Sequence, residues 1–250
     1  MVNIAITDSG PWWRKKARIH RLSHPSKWEE VTPKQMKAIA KLLTGEIKED
    51  KLLSIFLSCP RRIVRKLDDY AKYKLSDLMT FIAVKQPIDQ FIISKFRGRK
   101  APEKRLKDLS FSEFMFIDTL FSDYSESEND TFLLRKFVGC LFRRHKRGIR
   151  PEFDGNIDFE WTKRMKPWEM HAAVLNYGLV RAWLEKSYPA VFAEKKGSKS
   201  KGNGWVDVFD SIVGDDIVHS DEYASKPAME VLRFLNKKII ESRKLRHKRK

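Results

Sequence analysis

Cysteine is scarce in this sequence, since 250 residues include only Cys59 and Cys140. Two cysteines cannot build a disulfide framework or a zinc-binding pattern, and both lie in apolar segments with helical spacing. We therefore expect buried free thiols and a reducing compartment. A long apolar run is also missing, because the stretch 171–184 is interrupted by Asn176 and Arg181. We expect neither a signal peptide nor a membrane span, and no membrane partner.

A complete phosphate-binding loop is missing as well. Residues 197–204 have its two-glycine spacing, but Asn203 and Gly204 stand where Lys and a Ser or Thr would contact phosphate and Mg²⁺. The segment 194–204 is therefore predicted to be a flexible, low-complexity loop, with no nucleotide bound there.

Metal-ligand and nucleophile patterns are equally sparse. His20 and His24 are four residues apart, but no Glu completes a zinc-binding helix motif. Asp207 and Asp210 could in principle hold a metal, yet their spacing on a short amphipathic helix favours a solvated face. We predict no catalytic residue, no metal and no cofactor, and therefore a protein that is not an enzyme.

Acidic residues are too few to balance the basic ones. The sequence has fifty-one Lys and Arg but only thirty-three Asp and Glu, which gives a formal net charge of +18. This positive charge could attract nucleic acid, an anionic membrane face or an acidic protein. The candidate polyanion-binding residues are Arg143, Arg144, Lys146 and Arg147 in the body and Arg243, Lys244, Arg246, Lys248, Arg249 and Lys250 in the tail.

These basic residues allow two interpretations. Cations beside aromatic residues are typical of nucleic-acid surfaces, and a further basic cluster occupies 97–107. Basic loops are also ordinary solubilising surface, and no recognition helix or zinc finger accompanies them. Any nucleic-acid contact is therefore expected to be nonspecific, with the tail contributing most of the affinity.

Helical patterns dominate the rest of the chain. Thr32, Pro33 and Gln35 predict a capping box at a helix start, and Ser110 with Glu113 repeats the spacing. A loop is predicted at 122–130, followed by a helix that ends in the basic residues 143–148. The expected core residues are Phe114, Phe137, Trp168, Trp183 and Leu235.

The expected fold is mainly α and resembles a helical bundle, with a small N-terminal β-hairpin. Alternating apolar residues predict the hairpin within an N-terminal arm at 1–30. Two packed helical subdomains are expected at 31–148 and 149–242, although a single helical domain stays open. A disordered basic tail is predicted at 243–250.

Three stretches of the chain share a pattern with one group of known proteins. The first is 28–35, with its Trp-Glu-Glu-Val-Thr-Pro-Lys-Gln sequence. The second runs from Leu141-Phe142-Arg143 through Phe153-Asp154 to the segment 165–169. The third is 205–214 followed by 223–236. Together these stretches resemble small helical tail-assembly proteins of tailed bacteriophages and prophages.

The resemblance implies a non-enzymatic assembly factor that holds an aggregation-prone tail protein, such as a tape-measure helix. It implies a phage or host protein as partner, in the host cytoplasm or the virion, with the oligomeric state left open. The high positive charge keeps the alternative of a nonspecific nucleic-acid-binding protein.

Overall fold

The computed structural model describes residues 2–7, 17–127, 130–192, 204–214 and 217–248. Over these residues the protein is mainly helical, which confirms the predicted class. The helices are α1 (Pro33–Leu43), α2 (Glu49–Phe56), α3 (Arg61–Val64), α4 (Asp69–Ser76), α5 (Phe111–Glu126), α6 (Thr131–Leu141), α7 (Pro167–Ser187), α8 (Trp205–Val213), α9 (Ser220–Ser225) and α10 (Ala228–Lys248). The strands are β1 (Val2–Thr7), β2 (Ala17–Leu22), β3 (Lys95–Phe96) and β4 (Arg99–Lys100). Within this part of the chain, no helix is both long and apolar enough to cross a membrane.

The chain divides into two compact units. The first comprises Met1–Gln86 with Pro167–Leu175, and the second comprises Pro87–Lys166 with Asn176–Lys250. The sequence predicts a boundary after residue 148 instead. That position lies inside the second unit, because the Arg143 side chain donates hydrogen bonds to the carbonyl oxygens of Pro151 and Glu152 just beyond it.

In the first unit, the start of α1 follows from its sequence. The Thr32 hydroxyl accepts from the Gln35 N–H and the Gln35 side chain accepts from the Thr32 N–H, so the predicted capping box is present. The Gln35 amide also donates to the Phe56 carbonyl oxygen at the end of α2. Met36 and Ile39 face the core, whereas Leu43 is exposed at the end of the helix.

A small apolar cluster joins the strands to the short helices of the first unit. β1 and β2 pair antiparallel, with Val2 opposite Leu22. The Leu22 side chain belongs to one buried cluster with Leu53 of α2, Val64 of α3 and Leu75 of α4. Burial of this apolar area gives the two-stranded sheet something to pack against, which an isolated hairpin lacks.

The core of the second unit is built largely from aromatic side chains. Phe121 of α5, Phe137 of α6 and Tyr177 of α7 contact one another with ring centroids 5.0–5.6 Å apart. The Tyr177 hydroxyl donates to the buried carboxylate of Asp118, which also accepts from Trp205 Nε1 of α8. Asp118 also accepts from Arg181 Nε. One buried carboxylate thus ties three helices together, and each of its oxygens has a hydrogen-bond partner.

Several boundaries differ from those that the sequence predicts. α5 continues to Glu126, through part of the stretch predicted as a loop, because Phe121 still packs inward and the polar residues face solvent. α6 ends at Leu141, so the basic residues 143–148 follow the helix and do not form its last turn. α10 continues to Lys248, whereas the sequence predicts a disordered tail from Arg243. Most of the flexible loop predicted at 194–204 lies outside the described residues, which resume at Gly204.

The five expected core residues differ in burial. Phe114 and Phe137 are fully enclosed, Leu235 is buried on α10, and Trp168 is 9% exposed. Trp183, however, is only half-buried. Helical spacing places it on the same stripe as Trp168, but that stripe turns towards solvent before α7 ends.

Candidate polyanion-binding surface

Two basic segments of the second unit form tight turns of the same kind. In the first, which we call the basic hairpin (residues 95–100), β3 and β4 pair antiparallel with Phe96 opposite Arg99. Its two turn residues, Arg97 and Gly98, have φ angles of 46° and 82°. Positive φ at both central positions is typical of type I′ turns, whose twist matches the strands that flank them.

The second segment repeats this pattern. In what we call the basic turn (residues 143–150), Lys146 and Ile149 exchange two backbone hydrogen bonds of 3.0 Å. Between them, Arg147 and Gly148 have φ angles of 51° and 86°. Each tip therefore carries an Arg-Gly pair, and each arginine adopts the left-handed backbone conformation that Asn or Gly adopts at lower cost.

Backbone pairing joins the two segments. The Lys100 N–H donates to the Arg143 carbonyl oxygen at 2.9 Å, and the Arg143 N–H donates to the Lys100 carbonyl oxygen at 3.0 Å. The start of the basic turn thus extends the basic hairpin as a third, single-residue strand. Two clusters that are far apart in the sequence become one continuous surface.

A buried carboxylate fixes the ends of the basic turn. Glu113, on α5, accepts from Arg143 Nη1 at 3.0 Å and from Arg150 Nη2 at 2.9 Å. Arg150 also donates to the carbonyl oxygens of Cys140 and Leu141 at the end of α6. The first and last residues of the turn are therefore held by one acceptor, which restricts the conformations of the segment between them.

Apart from Arg97, the cations of this surface fall into two groups. Arg99 lies 2.8 Å from Asp158 and over the ring of Trp161, and Arg143 and Arg150 are paired with Glu113, so these three are structural. Five others are exposed and form no ion pair within the described part of the chain: Lys95, Lys100, Arg144, Lys146 and Arg147. Cations without a protein counter-ion are the ones available to an anionic ligand.

The structure therefore separates the predicted polyanion-binding residues. Arg144, Lys146 and Arg147 lie on the exposed side of the basic turn. The prediction for Arg143 needs correction, because its guanidinium is engaged by Glu113 and two carbonyl oxygens and lies over Phe153. In the tail, Arg243 and Lys244 are exposed, Arg246 and Lys248 continue the α10 backbone, and Arg249 and Lys250 lie outside the described residues.

The other candidate sites do not assemble into a chemical centre within the described ranges. Asp207 and Asp210 are exposed on α8. No group of three or more His, Cys, Asp or Glu side chains in those ranges is arranged to hold a metal ion. His24 Nδ1 lies 3.1 Å from the Pro25 carbonyl oxygen, and the His20 side chain falls outside the described residues.

Both cysteines are buried free thiols. The pKa of Cys140 is raised to about 12, chiefly by burial and also by the nearby charge of Glu113, while Arg150 and Arg143 partly oppose this increase. Burial also raises the pKa of Cys59. Because the thiolate is the nucleophile, neither group is poised for chemistry.

Comparisons with family models, with curated proteins and with solved structures find no match for this chain. Sequence reasoning identified both basic segments but missed their pairing and the carboxylate behind them. The available signal was an Arg-Gly pair next to a further Lys or Arg in both segments.

Proposed function

We propose that this protein binds nucleic acid through its backbone phosphates, without reading base sequence and without a catalytic step. The observation that carries the proposal is the backbone pairing of Lys100 with Arg143, which merges the basic hairpin and the basic turn. The merged surface presents five exposed cations that no described carboxylate neutralises, in a segment whose backbone is held by hydrogen bonds. Binding of a polyanion costs the protein less conformational entropy when the binding surface is already ordered.

Contact with phosphates rather than bases follows from the shape of the surface. Its two tips are two-residue turns, and neither is a helix or an extended strand pair that could enter a groove. Phe96, the only aromatic residue of the basic hairpin, is buried, so it offers no stacking platform. The expected affinity is therefore electrostatic and falls steeply as the salt concentration rises.

The test compares two triple variants that carry the same net charge. The first, Arg144→Gln, Lys146→Gln and Arg147→Gln, removes the exposed cations of the basic turn. The control replaces three exposed lysines of the first unit with Gln: Lys34, Lys37 and Lys51. Fluorescence anisotropy with a duplex oligonucleotide at several salt concentrations gives the dissociation constant and its salt dependence.

The basic-turn variant should bind less tightly, and its log–log salt slope should be smaller by about 0.9 for each phosphate that it no longer neutralises. The control should retain nearly all of its affinity. Equal decreases in the two variants would show that net charge alone attracts the oligonucleotide, and they would refute the proposed surface.

Deletion of residues 243–250 separates this surface from the basic tail. The sequence alone predicts that the tail dominates binding. With the hairpin and turn joined, we expect the shortened chain to keep most of its affinity for duplex DNA. If deletion of the tail abolishes binding while the basic-turn variant retains it, the proposed surface is wrong.

A second candidate function, that of a tail-assembly or structural protein acting on another protein, is favoured by α10. Beyond Leu235, the side chains described through Leu245 are exposed or half-buried, and they include the apolar Ile240 and Leu245. A helical segment without a buried face gains little stability from packing against its own chain. A partner protein that covered one face would stabilise it. This role would place the protein in the host cytoplasm or the virion.

The second candidate is tested by recovering partners from the native host. The full chain and a chain that ends at residue 236 are used as bait, and bound proteins are identified by mass spectrometry after nuclease treatment. A phage tail protein recovered only with the full chain would support the assembly role. Recovery of the same proteins with both baits would contradict a role for the end of α10.

A further inference from the structure

Helix α4 of the first unit carries two tyrosines that the fold does not bury. Tyr70 and Tyr73 are 71% and 64% exposed, which makes them the most exposed aromatic side chains in the described part of the chain. Leu75 is the only buried residue of α4. The two rings therefore contribute little to the stability of the fold, because an aromatic side chain stabilises mainly through the area that it buries.

The two rings are neighbours and share a cation. Residues three apart lie on the same face of a helix, with Cβ atoms about 5–6 Å apart. The Lys74 ammonium lies over both rings, 5.8 Å from the centroid of Tyr70 and 5.9 Å from that of Tyr73. One positive charge is thus nearly equidistant from two exposed aromatic rings.

The chain around these rings is basic. Residues 61–77 include six Lys or Arg and three Asp. Asp77 approaches the Lys74 ammonium at 3.9 Å, but both side chains are more than half exposed, so the pair contributes little and leaves the ammonium available. Arg62 of α3 is exposed and forms no ion pair within the described ranges. An anionic ligand that also presents flat apolar rings complements this combination of charge and aromatic surface.

We propose that this face of α4 binds single-stranded nucleic acid, with one base stacked on each tyrosine ring and Lys74 beside the phosphate that joins them. Successive bases of a strand are linked through one phosphate, so a cation between two rings matches a dinucleotide. Every base has an aromatic face, so this contact requires no particular sequence. A duplex keeps its bases stacked on one another and does not offer them. The site belongs to the first unit and does not depend on the function proposed for the merged surface.

The test compares two double variants of the full chain, Tyr70→Ser with Tyr73→Ser and Tyr70→Phe with Tyr73→Phe. Fluorescence anisotropy measures their affinity for a single-stranded oligothymidylate and for a duplex of the same length. The Ser variant should bind the single strand roughly tenfold less tightly, as loss of a stacked base implies. Its salt slope and its duplex affinity should not change, because no charge is removed. The Phe variant keeps both rings and should bind like the native protein.

The position of the phosphate is tested at Lys74. Lys74→Gln should make the log–log salt slope for the single strand smaller by about 0.7, the contribution of one phosphate on a single strand. The control is Lys37→Gln, which removes an exposed lysine of α1 in the same unit and should leave the slope nearly unchanged. Equal slopes in the two variants would show that Lys74 does not contact the phosphate.

The outcomes separate this site from the merged surface. Each comparison is repeated in the background of the basic-turn triple variant, so that phosphate contacts at the merged surface cannot hide the loss. If the Ser variant and the native protein then bind the single strand equally, the stacking site is overturned, whatever the duplex affinity of the basic-turn variant shows. Equal decreases for single strand and duplex would also overturn it. A host protein that binds the native chain but not the Ser variant after nuclease treatment, with single-strand affinity unchanged, would show that this face binds a protein instead.

Discussion

Replacing Glu113 with Gln should destabilise the protein by about 3 kcal/mol, because it breaks a buried ion pair on one side only. The Glu113 side chain is 2% exposed, and so is that of Arg150. Arg143, the second partner, is 15% exposed. Without the carboxylate charge, both guanidinium groups remain in a largely dry environment with no counter-ion.

The backbone acceptors around the arginines set this magnitude. Loss of one partner from a buried pair typically costs about 3–5 kcal/mol. Arg143 keeps the Pro151 carbonyl oxygen and Arg150 keeps that of Leu141, so the lower end of the range applies. For a chain of this length, that free energy corresponds to a melting temperature lower by roughly 6–12 °C.

Circular dichroism melts and urea unfolding of the full chain measure the effect. The matched control is Glu152→Gln, which makes the same chemical change at an exposed side chain nearby. The control should stay within about 0.5 kcal/mol of the native protein. If Glu113→Gln is no more destabilising than Glu152→Gln, the carboxylate does not hold the basic turn in the way its hydrogen bonds indicate.

The same variant distinguishes shape from net charge in polyanion binding. Glu113→Gln makes the protein more positive by one charge, so simple electrostatic attraction predicts tighter binding of duplex DNA. Loss of the anchor for both ends of the basic turn predicts weaker binding instead. We expect weaker binding, measured at a temperature where the variant is folded.

Four further predictions address single residues. Arg143→Gln should lower the free energy of unfolding and leave the salt slope of DNA binding nearly unchanged, because its guanidinium is bound internally. Arg147→Asn should leave unfolding unchanged or favour the fold by up to about 1 kcal/mol, because Asn tolerates positive φ, and should weaken DNA binding. Trp168→Ala should cost ~3–5 kcal/mol in melting experiments, and an unchanged melting temperature would show that the side chain is not buried. A thiol reagent at pH 8 should label Cys59 and Cys140 only after unfolding. Both thiols are buried and their pKa values are raised, so they stay neutral in the native protein. Fast labelling of the native protein would contradict their burial.

Local interactions were the part of the fold that sequence reasoning could predict. The capping box of Thr32 and Gln35 depends on residues three apart, so its spacing alone identifies it. The mainly helical class follows in the same way from the repeated spacing of apolar residues. Helix ends were less well predicted, as the extension of α5 to Glu126 shows, because the competition between solvation and packing at a helix end depends on distant neighbours.

Ser110 and Glu113 show where local reasoning stops. The Ser110 hydroxyl accepts from the Glu113 N–H, as a capping box requires. The Glu113 side chain, however, reaches Arg143 and Arg150, which are more distant in the chain, and the hydrogen bonds described for it all go to them. A spacing motif cannot indicate which competing partner a carboxylate chooses, because two guanidinium groups brought in by the tertiary fold outcompete one backbone N–H.

The position of Arg147 at the tip of the basic turn supports the role proposed for its charge. A cation needed only for solubility can stand at any exposed site, where the backbone imposes no cost. Arg97 and Arg147 instead occupy the left-handed region, with φ angles of 46° and 51°, where a residue with a long side chain costs about 1 kcal/mol more than glycine. Strain of this kind persists where the surrounding structure enforces it, and here paired strands and the Glu113 anchor do so. For Arg147, which is exposed and forms no ion pair within the described part of the chain, this cost favours a role in binding.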